Sequence, residues 1–337
     1  MKHKLLISVS IFIIIGLILF YILNIILLPE WVINNDATLS TRGIYEEEKN
    51  SLDVVFVGSS NIYNGISPLE IWQETGITSY SYASPEQKIW LSYYAIQELF
   101  AYQKPKVIML DMNEAFADDN LEEDNIRKLF DNMKLGKAKI NAINDEFLNY
   151  GIEDKLSYIF PIIRYHTRWN NLSTKDIKRL FYDYDSTYKG YSLSKSIEPF
   201  EGNTDYLNYT DETTNINDIS LKYLDKIVEL CKEQETELVL IDMPSPNTWS
   251  YSRHRAVEEY ANSKKIKFLE LNCVDEIGID WNTDTQDAGW HLNVNGASKV
   301  SKYVANYLKR KFDLTDKREN EIYQTWNRDL EIYLKNK

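Results

Sequence analysis

The sequence predicts an α/β protein, a parallel sheet covered by helices on both faces, carried on a single N-terminal transmembrane helix. Three observations lead there. Residues Leu5 to Leu28 form one apolar run without a charged side chain. Beyond residue 50, short β-branched runs alternate with stretches of helical length, the pattern of consecutive βα units. The candidates at 53–57 and 106–110 are continuous apolar runs, as expected for strands buried on both faces.

The N-terminal run, read as a helix, is about 36 Å long, enough to cross a hydrocarbon core of about 30 Å. Its apolar stretch is longer than that of a cleaved signal peptide, and Pro29-Glu30-Trp31 follows in place of a small-residue cleavage site. Lys2 and Lys4 precede it while Glu30 and Asp36 follow. The positive-inside rule then sets the N-terminus in the cytoplasm and the rest of the chain outside, with Trp31 as an interfacial anchor. A polar connector runs from Asn34 to Asn50.

Strands are expected at 53–57, 77–82, 106–110, 237–241 and 266–271. Helices are expected after the cap Ser67-Pro68, and over 90–102, 219–232, 253–263 and 295–311. Between Glu114 and about Asn217 the alternation lapses into helical, aromatic and charged sequence, which reads as an insertion at one end of the sheet. The expected division is 1–28 for the cytoplasmic end and anchor, 29–50 for the connector, and 51–312 for the extracytoplasmic domain with its insertion over about 115–217. Residues 313–337 then form an amphipathic helical tail, with Ile322, Trp326, Leu330 and Tyr333 at helical spacing. That stripe needs a covering surface, most simply the domain itself.

Composition narrows the function. The 337 residues carry 38 Lys+Arg against 51 Asp+Glu, a net charge of −13, and the sequence pI is about 4.9. A nucleic-acid binder needs the opposite balance. Two cysteines, Cys231 and Cys273, make no disulfide scaffold and no zinc spacing. Whether they pair with each other is left open. Four histidines make no multi-His metal centre, and no metal or cofactor is expected.

In an open parallel sheet, chemistry gathers beyond the C-terminal ends of the strands. Gly58-Ser59-Ser60-Asn61 follows the first strand, Asp111-Met112-Asn113-Glu114 the third, and Asp287-Ala-Gly-Trp-His291 precedes the last long helix. A serine, an asparagine and an Asp/His pair suit acyl transfer. The hydroxyl needs an imidazole to take its proton, and the imidazole needs a carboxylate to hold its tautomer. The tetrahedral intermediate needs oxyanion donors, which the serine N–H and the Asn113 amide would supply.

These blocks resemble the SGNH (GDSL-type) hydrolase superfamily. The resemblance makes Ser60 the nucleophile, His291 the general base and Asn113 an oxyanion donor beside the Ser60 N–H. Three departures stand out. Asp111 replaces the glycine of the Gly-x-Asn block, no glycine lies near Ala83-Ser84 where the second oxyanion donor is expected, and Asp287 is four residues before His291 where the family has three. Asp287 is favoured as the triad acid because Ala288-Gly289 permits a tight turn; Asp284 is its rival. The resemblance is closest to a membrane-anchored branch that includes the D-alanine-transfer protein of teichoic-acid D-alanylation, through Phe160 to Trp169, Trp249 to His254 and His291 to Ala297. It implies a three-layer flavodoxin-like fold and a serine acyltransferase or esterase acting on O-acyl groups, D-alanyl or acetyl, of a Gram-positive envelope polymer. A membrane-bound O-acyltransferase is the implied partner. The alternative is a non-catalytic scaffold that binds such a polymer or such an acyltransferase.

Arg164, His166 and Arg168 are a candidate clamp for an anionic polymer, set in an aromatic stretch that otherwise serves to pack the insertion. His254 opens a helix and is expected on its exposed face, with the site as the alternative.

Overall fold

Chain order and sheet order together give the architecture. The computed structural model describes residues 2–33, 36–118, 122–181, 187–203, 205–212 and 214–337. Positions 34 and 35 of the expected connector and several positions of the expected insertion lie outside the described residues. Five parallel strands form the sheet: β1 (Val54–Gly58), β2 (Ser79–Ala83), β3 (Val107–Asp111), β4 (Glu237–Asp242) and β5 (Lys267–Glu270), in the order β2-β1-β3-β4-β5. That is the doubly wound, flavodoxin-like order, with its switch point between β1 and β3. Every residue of β1, β2 and β3 is buried, which is why β1 and β3 read as apolar runs, while β2 alternates serine with tyrosine.

Alternate residues of the strands feed two cores. Val55, Val57, Ile108, Leu110 and Leu240 meet the helices Ile89–Tyr102 and Asp218–Glu233 through Leu91, Ile96, Tyr223 and Ile227. Val54, Phe56, Met109, Val239 and Ile241 meet the helices Ser60–Gly65 and Val294–Lys311 through Ile62, Val300, Val304 and Leu308. The caps follow from sequence. Asn217 and Asn293 accept N–H bonds at the starts of helices 218–233 and 294–311, and Gly76 closes helix 68–75 in the left-handed region.

Short helices between β3 and helix 218–233 cover one side of this body. Leu129, Phe130, Ile143 and Tyr158 from that stretch join the same core as β1 and β3. The C-terminal helix Gln324–Asn336 lies against helix 68–75. Trp326 and Tyr333 are buried, Trp326 beside Trp72 at a ring separation of 5.2 Å, and Tyr333 donates to Glu70 at 3.0 Å. Ile322, the first residue of the expected stripe, is instead exposed.

The N-terminal helix Lys2–Ile26 stands apart from the cores. Its apolar span, His3–Ile26, is long and apolar enough to cross a membrane, and no residue of its most apolar stretch is buried in the protein.

Candidate active site

β1 ends at Gly58 for a steric reason. A Cβ there would lie 2.7 Å from Asp111 Cβ and 2.8 Å from Ile62 Cγ1, so β1 and β3 approach this closely only with glycine. Ser59 follows as the N-cap, and Ser60 is the first residue of helix 60–65. N–H groups at the first turn of a helix have no intrahelical acceptor, so the Ser60 N–H is placed to serve an oxyanion. The sequence offered no periodic signal for this six-residue helix; only its position after a strand hints at it.

Across the C-terminal edge of the sheet, residues 284–293 fold back on themselves. Thr285 and Leu292 form an antiparallel bridge. Ala288 and Gly289 both take positive φ, 52° and 89°, and the Gly289 N–H donates to Thr285 Oγ1 at 2.7 Å. This turn brings Asp287 back over His291. One carboxylate oxygen accepts the His291 backbone N–H at 2.7 Å and the other accepts from Nδ1 at 2.5 Å. With Nδ1 held as the donor, Nε2 is left as an acceptor, and it lies 2.7 Å from Ser60 Oγ. Ser60 and His291 are 231 positions apart in sequence, so the topology, not local chain geometry, joins them. The Asp287 and His291 side chains keep 38% and 25% of their surface exposed, leaving the group open to a substrate.

Asp284 is engaged elsewhere. It is buried, pairs with Lys299 at 2.6 Å and accepts the Asp280 N–H at 2.8 Å. Its work is to tie the turn to helix 294–311.

Asn113 sits just past β3, on the same edge as Ser60. Its Nδ2 donates to Thr248 Oγ1 at 2.8 Å and to the Met243 carbonyl at 3.4 Å, while its Oδ1 is buried without a partner. As the structure stands, the amide is directed to the loop after β4, and Thr248 is its main acceptor. Sequence reasoning gave Thr248 no role. Ala83 is paired with Gly58 across the β1–β2 ladder, and the Ser84 N–H donates to the Gly58 carbonyl at 3.4 Å.

Asp111, beneath the site, is fully buried. Burial pushes its carboxyl up to about 7, against the opposing pull of the Met243 and Asn113 N–H groups. Asp242, at the end of β4, is likewise pushed up by burial to about 8, with the Leu271 N–H and Asn272 opposing. Both carboxyls close their strands and are buried there, and burial disfavours the charged form.

The basic residues of the proposed clamp lie elsewhere. Arg164 pairs with Glu123 at 2.9 Å. His166 bonds through Nδ1 to the Ile163 carbonyl at 3.0 Å. Arg168 donates to the carbonyls of Leu27 and Leu28 at the end of the N-terminal helix, and pairs with Asp176 at 3.1 Å. None of these partners belongs to the Ser60–His291–Asp287 group. The reason is local: the helix ends with unsatisfied carbonyls, which a guanidinium fork satisfies well.

His254 differs from both expectations. It is buried, not exposed, between Tyr251 and Phe268, with Nε2 3.7 Å from Glu270. Cys231 and Cys273 are both free thiols, Cys231 buried and Cys273 exposed, and each is pushed up to about 12, chiefly by desolvation.

Two solved structures are similar to the chain. One is a protein described as an acylhydrolase from Bacteroides fragilis, 12% identical, covering 80% of this chain and 94% of its own, with a TM-score of 0.38. The other is a GDSL-like lipase from Bacteroides thetaiotaomicron, 11% identical, covering 77% of this chain and 88% of its own, with a TM-score of 0.35. Likeness at that level carries no argument about activity. No family model and no curated protein matches the chain.

Proposed function

We propose that the chain is a membrane-anchored, SGNH-like serine esterase or acyltransferase that works through an acyl-Ser60 intermediate. The observation that carries the proposal is the continuous relay Ser60–His291–Asp287, with links of 2.7 and 2.5 Å. In the first half-reaction Ser60 Oγ attacks the acyl carbonyl and its proton passes to His291 Nε2. The imidazolium so formed is held by Asp287, and the proton then goes to the leaving alcohol. The Ser60 N–H bonds the developing oxyanion, joined by the Asn113 amide once it turns from Thr248. In the second half-reaction an acceptor hydroxyl attacks the acyl-enzyme while His291 takes its proton, and that proton passes to Ser60 Oγ as the acyl–Ser60 bond breaks. Water as acceptor gives hydrolysis, and a polymer hydroxyl gives transfer.

With the positive-inside orientation, this site faces the envelope, and its substrate class is an O-acylated envelope polymer such as teichoic acid or polysaccharide. A membrane-bound O-acyltransferase is the partner that would bring the acyl group across. The engaged Asn113 amide favours the alternative, a scaffold without turnover, as do the lack of a glycine near Ala83-Ser84 and the shifted Asp287. A fluorophosphonate probe on the detergent-solubilised chain separates the two. Covalent labelling that disappears in Ser60→Ala supports the acyl-enzyme. Absence of labelling in a folded wild-type chain, across pH 6–9 at roughly one-unit steps, favours the scaffold.

A further inference from the structure

The stretch 152–181 is unlike the rest of the protein. Between Gly151 and Phe181 there are six basic and three acidic residues, a net of +3 in a chain of −13. Large apolar side chains point outward from it: Ile152 is 74% exposed, Trp169 72%, Ile177 51% and Phe181 78%. Elsewhere on the sheet domain most residues of this kind fill the cores, and the exposed ones, such as Leu135, Ile197, Trp290 and Ile322, are scattered along the chain.

This stretch also grips the end of the N-terminal helix. Arg168 and Arg179 both donate to the Leu28 carbonyl, and Asp176 holds the two guanidinium groups together at 3.1 and 2.9 Å. Leu27, Leu28, Val32, Ile33 and Tyr165 form a separate small core. Contact continues down the helix. Phe160 packs edge-on against Phe20 at 5.4 Å, and the Ile162 N–H donates to Asn24 Oδ1 at 3.0 Å.

Depth follows from helix geometry. Phe20 lies six residues before Ile26, about 9 Å back along the helix axis. If the helix spans a bilayer, its last turns occupy the boundary of the hydrocarbon, and Phe160 is held beside a residue that lies within it. A segment fixed at that level must itself enter the leaflet. An exposed Trp and Phe beside exposed Lys175, Lys178 and Arg164 have the composition of an interfacial element, with apolar side chains among the acyl chains and cations at the headgroups.

We propose that residues 152–181 form a collar seated in the leaflet from which the N-terminal helix emerges, inserting Trp169, Ile177 and Phe181 among the lipids and setting its basic side chains against anionic headgroups. The collar fixes the height and tilt of the sheet domain over the membrane. The proposal is independent of the acyl-enzyme reading and rests on the N-terminal helix being a membrane span.

The test uses the full chain in vesicles of phosphatidylcholine and phosphatidylglycerol, with Cys273→Ser as background because Cys231 is buried. Single cysteines at Phe181→Cys, Trp169→Cys, Leu17→Cys and Lys309→Cys carry an environment-sensitive fluorophore, and lipids with a nitroxide on the acyl chain act as quencher. The collar probes and the Leu17 probe should be quenched on the order of threefold more than the Lys309 probe, with blue-shifted emission. Water-like emission at both collar positions with a quenched Leu17 probe overturns the collar but leaves the anchor standing, and assigns the apolar patch to a protein partner. Water-like emission at Leu17 as well overturns both. The Ser60 labelling reaction, run on the same samples, reports independently on the site.

Discussion

Replacing Asp287 with Asn exchanges one carboxylate oxygen for an NH2 group and tests the relay directly. Oδ1 of the amide still accepts the His291 backbone N–H, which wild type makes at 2.7 Å, so the turn is retained. The NH2 group now faces Nδ1 across the 2.5 Å contact, where two donors cannot coexist. Nδ1 must give up its proton, and Nε2 then carries it and points an N–H at Ser60. A base that is already protonated at Nε2 cannot take the serine proton. Losing the tautomer lock in a triad costs about 10⁴-fold in rate, about 5.5 kcal/mol of barrier. The assay is the second-order rate of fluorophosphonate labelling at Ser60, referred to the folded fraction. Asp284→Asn is the matched control. It breaks the 2.6 Å pair with Lys299 and should cost about 1–3 kcal/mol of stability, with labelling per folded molecule unchanged. Wild-type labelling by Asp287→Asn would refute the relay. Loss of labelling in Asp284→Asn without loss of stability would transfer the role to Asp284.

Two further expectations concern stability. Asp111 has a folded-state value near 7 against an ordinary carboxyl value near 4. The folded state therefore holds a proton that the unfolded chain has released between those values. Stability from this group is full below about pH 4 and is lost as pH rises to about 7, by up to about 4 kcal/mol. Asp111→Asn keeps the acceptor for the Asn113 and Met243 N–H groups and removes the titration. Denaturant unfolding should show it more stable than wild type at pH 8 and equal to it at pH 4.5; an equal difference at both would refute the buried-carboxyl account. Trp326→Ala empties a site that is 2% exposed beside Trp72 and should cost about 3–5 kcal/mol in the same assay. A change below about 0.5 kcal/mol would mean the tail is not part of the folded core.

The sheet was legible because its central strands β1, β3 and β4, buried on both faces, leave apolar runs, and helices 218–233 and 294–311 carry a clear stripe. The Asp/His element was legible because Ala288-Gly289 advertises a tight turn. What sequence could not supply was pairing between distant loops. The Thr248 acceptor for Asn113 depends on the end of β4 lying beside the end of β3, and no local pattern records that. The partners of Arg164 and Arg168 were illegible for a related reason. An Arg-rich aromatic stretch looks the same whether its cations meet a polymer or the open carbonyls of a helix end, and only the fold brings Leu27 and Leu28 to it. His254 was expected to be exposed because the polar residues around it read as a solvated helix start, while the Phe268 ring that helps bury it becomes a neighbour only when helix 251–264 docks on β5.

The spacing of Asp287 and His291 explains where the site keeps its strain. The resembled pattern has two residues between acid and base, and this chain has three. The extra residue must be absorbed without moving either side chain, and the turn does so with successive left-handed residues. Gly289 takes that conformation freely, whereas Ala288 at φ 52° costs roughly 1 kcal/mol. The surroundings over-determine it. The Ala288 N–H donates to the Glu198 carbonyl at 2.9 Å, its carbonyl accepts from Asn247 at 2.8 Å, and the Gly289 carbonyl accepts from Ser245 at 2.8 Å. Gly289 itself is locked in, because a Cβ there would lie 2.8 Å from Pro246 and 2.9 Å from Phe200. A strained turn held by bonds from two separate segments persists only where the surrounding structure requires that geometry. Here the geometry so held is the one that sets a carboxylate behind an imidazole and the imidazole against Ser60.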